Sequence, residues 1–381
     1  MKIQDDFTDI APYSGNQVRE AVERLKQNKD FLESLGEMTK PKWRFLAPVK
    51  RTQLKNELYP VLDAVNSIKD FQEKITSNFV LDPIIENSMK IFTWDGLDNL
   101  DKDGAYLYFS NHRDIVLDCA LLNFTLGRQG YKYAEIAVGD NLLLSQVATD
   151  LFKLNGAVTV KRSLSLRDKF HESKRLSAYF VNTIIKNSQS MWVAQKSGRA
   201  KDGMDITSPS IIKMLHMSQK DSGMDLKTLL AKCRIVPIAI SYEFDPCDIN
   251  KGRELLKKSL KGAYKKKKYE DLIQILKGLK KYKGRVHLHI GKPLEAEYSD
   301  HIEVASEIDR QIHLGYKLWT SNYIAYDLLD STGRFSEKYS KSEKKSFIAR
   351  YKGLSDDLFL MVMNSYANPV RMQLKALEDR G

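Results

Sequence analysis

Ala105-Tyr-Leu-Tyr-Phe-Ser-Asn-His-Arg-Asp-Ile-Val-Leu-Asp118 is the stretch from which the rest of the chain can be read. The turn residues Asp103 and Gly104 precede it, and Ala105 to Ser110 is short, aromatic and β-prone, so it reads as a buried strand. From Ile115 the apolar positions Ile115, Val116, Cys119, Ala120, Leu122 and Phe124 fit a helix that runs to Gly127. Asn111, His112 and Asp114 therefore lie on a strand-to-helix turn, where an α/β sheet presents groups at the carboxyl end of a strand. A histidine placed there can take a proton from a hydroxyl if a carboxylate fixes its tautomer and supports the imidazolium that forms.

Outward from that turn the pattern alternates, which is the signature of an α/β domain. Strands are expected at 90–95, 105–110, 133–138, 157–161, 190–195, 234–242 and 285–290, and helices at 114–127, 142–154, 167–188, 208–220, 225–232, 248–262 and 267–281. Residues 1–89 read as a helical region that packs on this domain. Val18, Ala21, Val22 and Leu25 repeat at helical spacing, as do Leu54, Leu58, Leu62 and Val65, with Ser67 as a cap for 68–79 and Pro83 in the first turn of a further short helix. After about 300 the chain is helical again, with Tyr323, Ile324, Leu328 and Leu329 as core candidates. The expected organisation is a helical region over 1–89, an α/β domain over 90–300 and a helical region over 301–381.

The 381 residues, 42% hydrophobic and 10% aromatic, are enough for a packed core. Cys119, Cys233 and Cys247 have neither zinc-finger nor CxxC spacing, so they read as structural thiols in a reducing compartment, with no metal or disulfide implied. The N-terminus lacks a secretory apolar core, and no uncharged apolar run is long enough to span a bilayer. The expected location is cytoplasmic, peripheral on the inner face of a membrane. A net charge of +12 favours an anionic partner. Thirteen cations face only Glu254, Glu270 and Asp271 between Arg253 and Arg285, and Leu272, Ile273, Ile275, Leu276 and Leu279 give the second half an apolar side. That segment reads either as a face for anionic lipid or as a solvated lysine-rich surface over core leucines. Nucleic acid is not expected, because no recognised module appears and the aromatics do not alternate with the lysines.

Three more stretches end in groups of chemical interest. Gly156-Ala-Val-Thr-Val-Lys161-Arg162-Ser163 is a strand ending in two cations, of which strand alternation turns one inward, and Arg162 is favoured. Met191-Trp-Val-Ala-Gln-Lys-Ser197-Gly198-Arg199-Ala-Lys201 is a strand running into a glycine-bounded cationic loop. Ile235-Val236-Pro237-Ile238 opens an apolar strand whose proline points to an edge or a strand start. His287 and His289 alternate onto one sheet face with no third ligand, so they read as structural.

In this order the four stretches resemble the motifs of the glycerolipid acyltransferases, the family of glycerol-3-phosphate and 1-acylglycerol-3-phosphate acyltransferases. The first family motif is Asn-His, four residues, Asp; here that position is Leu117, and the acids stand at Asp114 and Asp118. Asp118 is the favoured orienting carboxylate, and Asp114 is either its alternative or a helix cap. The second motif resembles the stretch ending at Arg162, and the third resembles Ser197, Gly198, Arg199 and Lys201, with Ser197 where the family has glutamate. The resemblance implies that Arg162, Lys161, Ser197, Gly198, Arg199 and Lys201 bind the acceptor's phosphate, a task for which a guanidinium fork is well suited. It implies an acyl pocket at Val236, Pro237 and Ile238.

The implied fold is a mixed, mostly parallel central sheet flanked by helices, with helical extensions at both ends. The implied activity is transfer of a fatty acyl group from acyl-CoA or acyl carrier protein to glycerol-3-phosphate or 1-acylglycerol-3-phosphate at an anionic membrane surface, with no cofactor. Another lyso-lipid acceptor is the alternative within enzymes, and a non-catalytic lipid-binding member is the alternative outside them. A serine or cysteine hydrolase is not expected, since no Gly-x-Ser-x-Gly elbow occurs and no cysteine adjoins a histidine.

Overall fold

Seven strands form one sheet in a computed structural model that describes residues 6–29, 31–33, 56–162, 164–295 and 297–379. They are β1 (Met89–Asp95), β2 (Leu107–Ser110), β3 (Ala134–Gly139), β4 (Ala157–Val160), β5 (Ser190–Ala194), β6 (Ile235–Tyr242) and β7 (Gly284–Ile290). All seven fall within about two residues of the expected segments. Leu54 and Ser163 lie outside the described residues.

The sheet order is β1-β7-β6-β2-β5-β3-β4, and every pairing is parallel except β6 with β7. The fold is therefore α/β, with a mixed, mostly parallel sheet and flanking helices. Because β2, β3, β4, β5 and β6 all point the same way, the loops after them emerge on one edge of the sheet. That shared edge is how stretches far apart in sequence reach one site.

Strand alternation splits the core in two. Tyr106, Tyr108, Trp192, Val236, Ile238 and Ile240 face one cluster, while Leu107, Phe109, Met191, Val193, Ile235 and Ala239 face the other. The central strands β2, β5 and β6 are apolar on both faces because helices cover both. Pro237 is a correction to the edge expectation, since β6 lies between β7 and β2. Its carbonyl accepts from Gly291 N at 2.8 Å, one residue past the last β7 partner at Ile290, so its missing donor falls where the β7 ladder ends.

The helices are α1 (Asn16–Gln27), α2 (Asp82–Ser88), α3 (Leu117–Arg128), α4 (Gln146–Leu154), α5 (Leu166–Ile185), α6 (Pro209–Ser218), α7 (Leu226–Cys233), α8 (Asp248–Lys261), α9 (Glu270–Lys280), α10 (His301–Gly315), α11 (Thr320–Asp330), α12 (Lys341–Ala349) and α13 (Asp356–Glu378). Helix α4 starts later than expected because Ser145 caps it, its hydroxyl accepting from Ala148 N at 3.2 Å. Ser67 caps residues 68–70 in the same way, and from Phe71 to Leu81 the backbone continues as an eleven-residue π-helix. Such a length is unusual, and short π segments are frequent at functional sites.

The terminal regions dock firmly on the sheet. Lys153 donates to the carbonyls of Ile10 at 2.8 Å and Ala11 at 2.6 Å, and Thr159 N donates to Ile10 at 2.9 Å, which ties the N-terminal segment to the β4 edge. At the other end, buried Ile324 joins Tyr351, Val362, Met363 and Tyr366 in a separate core cluster, with Tyr323, Leu328 and Leu329 packed around it. Among the described residues no helix is long and apolar enough to cross a membrane.

Candidate active site

The turn after β2 is held from both sides. Asn111 is fully buried; its amide donates to Ile240 O at 3.0 Å and accepts from Ile240 N at 2.8 Å, locking the turn to β6. Arg113 is also buried and forms an ion pair with Asp205 at 2.6 Å, while its carbonyl accepts from Lys251 Nζ at 2.6 Å. A buried pair of this kind fixes geometry, because breaking it would strand a charge in low dielectric.

Between these anchors His112 projects into a cavity. Its Nδ1 meets Asp118 Oδ2 at 2.9 Å. Asp118 stands in the first turn of α3, where the helix dipole favours a negative charge. It accepts three further bonds: Arg113 N at 2.6 Å, Asp114 N at 2.9 Å and, on the other oxygen, Tyr242 Oη at 2.8 Å. A carboxylate so supplied with donors can only accept from the ring, which puts a proton on Nδ1 and leaves the Nε2 lone pair free.

Asp114 does not touch the histidine. It accepts from Val116 N and Leu117 N, each at 3.0 Å, and so caps the start of α3. Burial, and then the neighbouring Asp118 charge, push its carboxyl above the usual range.

The cavity has a volume of about 780 Å³, within the range of roughly 300–1,000 Å³ typical of small-molecule sites. Phe71, Ile75, Val80 and Leu81 of the π-helix, Val116 and Phe124 beside α3, and Phe152 of α4 make an apolar interior. Arg162, Lys196, Gly198, Arg199, Lys201 and Lys266 line the cavity as well and supply a cationic part. Three of these follow the expectations closely. Gly198 adopts φ +80°, a left-handed conformation open to glycine at no steric cost, and this turns the loop after β5 toward His112. Two residues on, Ala200 N donates to His112 O at 2.8 Å. Arg199, 8% exposed, donates to Gln274 Oε1 at 2.6 Å and keeps Nη1 without a protein partner. Arg162 reaches over Gly139, where a Cβ would come within 2.6 Å of its Nε.

Four expectations need correction. Lys161 points away from the cavity, pairing with Asp9 at 2.6 Å, because alternation at the end of β4 turns it to the opposite face from Arg162. Ser197 is exposed and does not line the cavity, so the loop bypasses the position where the family has glutamate. Lys201 does line it, but its ammonium is paired with Glu254. Val236, Pro237 and Ile238 are buried in the middle of the sheet and do not line the cavity; the apolar surface comes instead from the π-helix, α3 and α4.

Sequence reasoning also missed three contributors. Tyr242 was legible only as a strand residue, since its link to Asp118 depends on the β6–β2 register. Burial and the Asp118 charge raise its phenol well above the ordinary value, so it stays a donor. Trp192 sets its ring edge-on to His112, with centroids 5.6 Å apart. Gln274 of α9 holds Arg199. Tyr242→Phe removes one bond to a charged group, which typically contributes about 1.5–3 kcal/mol. The expected outcome is a roughly tenfold lower kcat with an unchanged acceptor KM, as for any group that acts through another residue rather than on substrate. Steady-state kinetics of the variant check this, and a raised KM would assign Tyr242 to substrate binding instead.

Comparison with known proteins agrees with this arrangement. Residues 91–241, from β1 through β6, match the family model described as Acyltransferase. Among solved structures, the chain resembles the 1-acyl-sn-glycerophosphate acyltransferase PlsC of Thermotoga maritima, with 13% identity, 78% of this chain and 92% of that chain covered, and a TM-score of 0.37. Comparison with curated proteins gives no match. The matched segment holds the β2 turn, the His112–Asp118 pair and the cationic loops, so what is similar to the acyltransferase family is the part of the chain that carries the candidate site.

Proposed function

We propose that this acyltransferase moves a fatty acyl group from a thioester, acyl-CoA or acyl carrier protein, to a hydroxyl of glycerol-3-phosphate or 1-acylglycerol-3-phosphate, drawing on a membrane surface for its lipid substrate. The observation that carries the reading is a carboxylate-oriented histidine on the wall of a cavity that is apolar in one part and cationic in another. The apolar part suits an acyl chain, and Arg162 and Arg199 suit a phosphate.

In this mechanism His112 Nε2 takes the proton from the acceptor hydroxyl as its oxygen attacks the thioester carbonyl. Asp118 stabilises the imidazolium across the 2.9 Å bond. The tetrahedral intermediate collapses by breaking the carbon–sulfur bond, and the thiolate leaves with the proton from His112. The histidine returns to its starting state, and no acyl-enzyme forms. Holding hydroxyl and thioester together gives the high effective molarity that lets the alcohol attack directly.

Arg199→Ala tests the acceptor assignment. One charge-assisted bond is worth about 1.5–3 kcal/mol, so KM for glycerol-3-phosphate or lysophosphatidate should rise roughly 10- to 100-fold while kcat changes little. Thiol-release kinetics over a range of acceptor concentrations read this out, and an unchanged KM would mean that the phosphate binds elsewhere.

A further inference from the structure

Helix α9 separates two environments. Its inner side closes the cavity through Asp271, Leu272, Ile275 and Leu279. Gln274 on the same helix accepts from Arg199, and a Cβ at Gly278 would collide with the Asp114 carboxylate, so the helix lies directly against the β2 turn. Its outer side carries exposed apolar side chains. Ile273 is 50% and Leu276 43% exposed, and at 100° per residue they and Tyr269 fall on a single arc with the exposed Lys280, while Leu272, 45% exposed, stands where that arc meets the cavity lining. Leu260, before it in sequence, and Tyr282, after it, are exposed as well.

Among the described residues, six of the thirteen exposed large hydrophobic ones thus lie within residues 260–282, a clustering that scattered surface residues would not produce. Leu144 adds a seventh, in the loop whose Asn141 lines the cavity and donates to Asp271 of α9 at 3.1 Å.

The fully exposed charges around this surface are cations, and the acids of α9, Glu270 and Asp271, are half-buried. Lys257, Lys258, Lys261, Lys265, Lys267, Lys268 and Lys281 are exposed on or beside the two helices. Lys283 and Arg285, part of the same basic run in sequence, do not belong to the face. Lys283 is fully buried and donates to Ser88 Oγ at 2.7 Å, and Arg285 pairs with Glu243 at 2.8 Å. Apolar side chains flanked by lysines form the pattern of a helix lying in the interface of an anionic bilayer, with its leucines among acyl chains and its lysines among headgroups.

We infer that the α8–α9 hairpin inserts α9 into the surface of an anionic phospholipid bilayer, and that the cavity opens there between α9 and Leu144, so that lipid substrates enter from the membrane plane. The α8–α9 stretch lies beyond the matched segment 91–241. The insertion itself follows from exposure and charge, and only the identity of the entering lipid rests on the proposed function.

Flotation of the full chain with vesicles tests the inference without reference to turnover. The protein should float with vesicles containing phosphatidylglycerol and stay behind with phosphatidylcholine alone. Ile273→Ser combined with Leu276→Ser, neither of which lines the cavity, should lower binding at least tenfold. Lys265→Ser with Lys267→Ser and Lys268→Ser should do the same without touching the helix, which covers the case of a misfolded α9 variant. Thermal unfolding and thiol release with water-soluble glycerol-3-phosphate should be unchanged in both. Equal flotation of the variants and the wild type, or no preference for the anionic vesicles, would overturn the inference. Selective binding without acyl transfer would leave it standing and refute the proposed function instead.

Discussion

His112→Ala is expected to lower kcat about 10²- to 10⁴-fold, the range that general-base assistance contributes, while leaving the fold intact. The fold survives because the ring projects into a cavity and makes one side-chain bond, to Asp118, whose other three donors remain in place. Substrate affinity should change little, since the cationic groups and the apolar interior are separate residues. Transient kinetics of thiol release, with circular dichroism to confirm folding, check both halves of the expectation. Normal turnover by the variant would remove the histidine from the mechanism.

Asp118→Asn is the second large effect, and it separates charge from geometry. The asparagine carbonyl can take the place of Oδ2 and accept from His112 Nδ1, Arg113 N and Asp114 N, while its amide donates to Tyr242 Oη after that hydroxyl rotates. The hydrogen-bond pattern is preserved and only the negative charge is lost. Two charges about 4 Å apart at an effective dielectric of about 20 interact by about 4 kcal/mol, so kcat should fall on the order of 10³-fold. Thermal stability should stay near that of the wild type. Asp118→Ala, by contrast, strands two buried backbone donors and a buried phenol and should destabilise the protein. A kcat for Asp118→Asn within a factor of about three of the wild type would show that the imidazolium needs no anion.

The fold was largely legible because the strands are short runs bounded by turn residues, with β2, β5 and β6 apolar and buried on both faces, and the seven segments needed no tertiary information. Much of the site could be read for a related reason: strand ends carry the chemistry, so a motif at a strand end maps onto the sheet edge. His112, Asp118, Gly198, Arg199 and Arg162 all come together in this way. Legibility failed wherever register or a distant helix decided the outcome. Lys161 and Arg162 differ only in which face the end of β4 turns them to. Tyr242 reaches Asp118 only because β6 pairs with β2. The lining of the cavity was assigned to Val236, Pro237 and Ile238, but it comes from a π-helix, and no period of 3.6 or 2 in the sequence announces a π-helix. The basic run from Arg253 to Arg285 looked uniform, yet folding buries Lys283 and pairs Arg285, and the exposed leucines of α9 emerge only once its other side is seen to close the cavity.

The central claim is that His112 delivers an acceptor hydroxyl to a thioester. The most direct measurement is the rate of thiol release from a long-chain acyl-CoA by wild-type protein and by His112→Ala, each with glycerol-3-phosphate, with lysophosphatidate and without acceptor. Release by the wild type that depends on one of the two acceptors, and its loss in the variant, is the predicted result. Release that ignores the acceptor, or that persists without the imidazole, would contradict it.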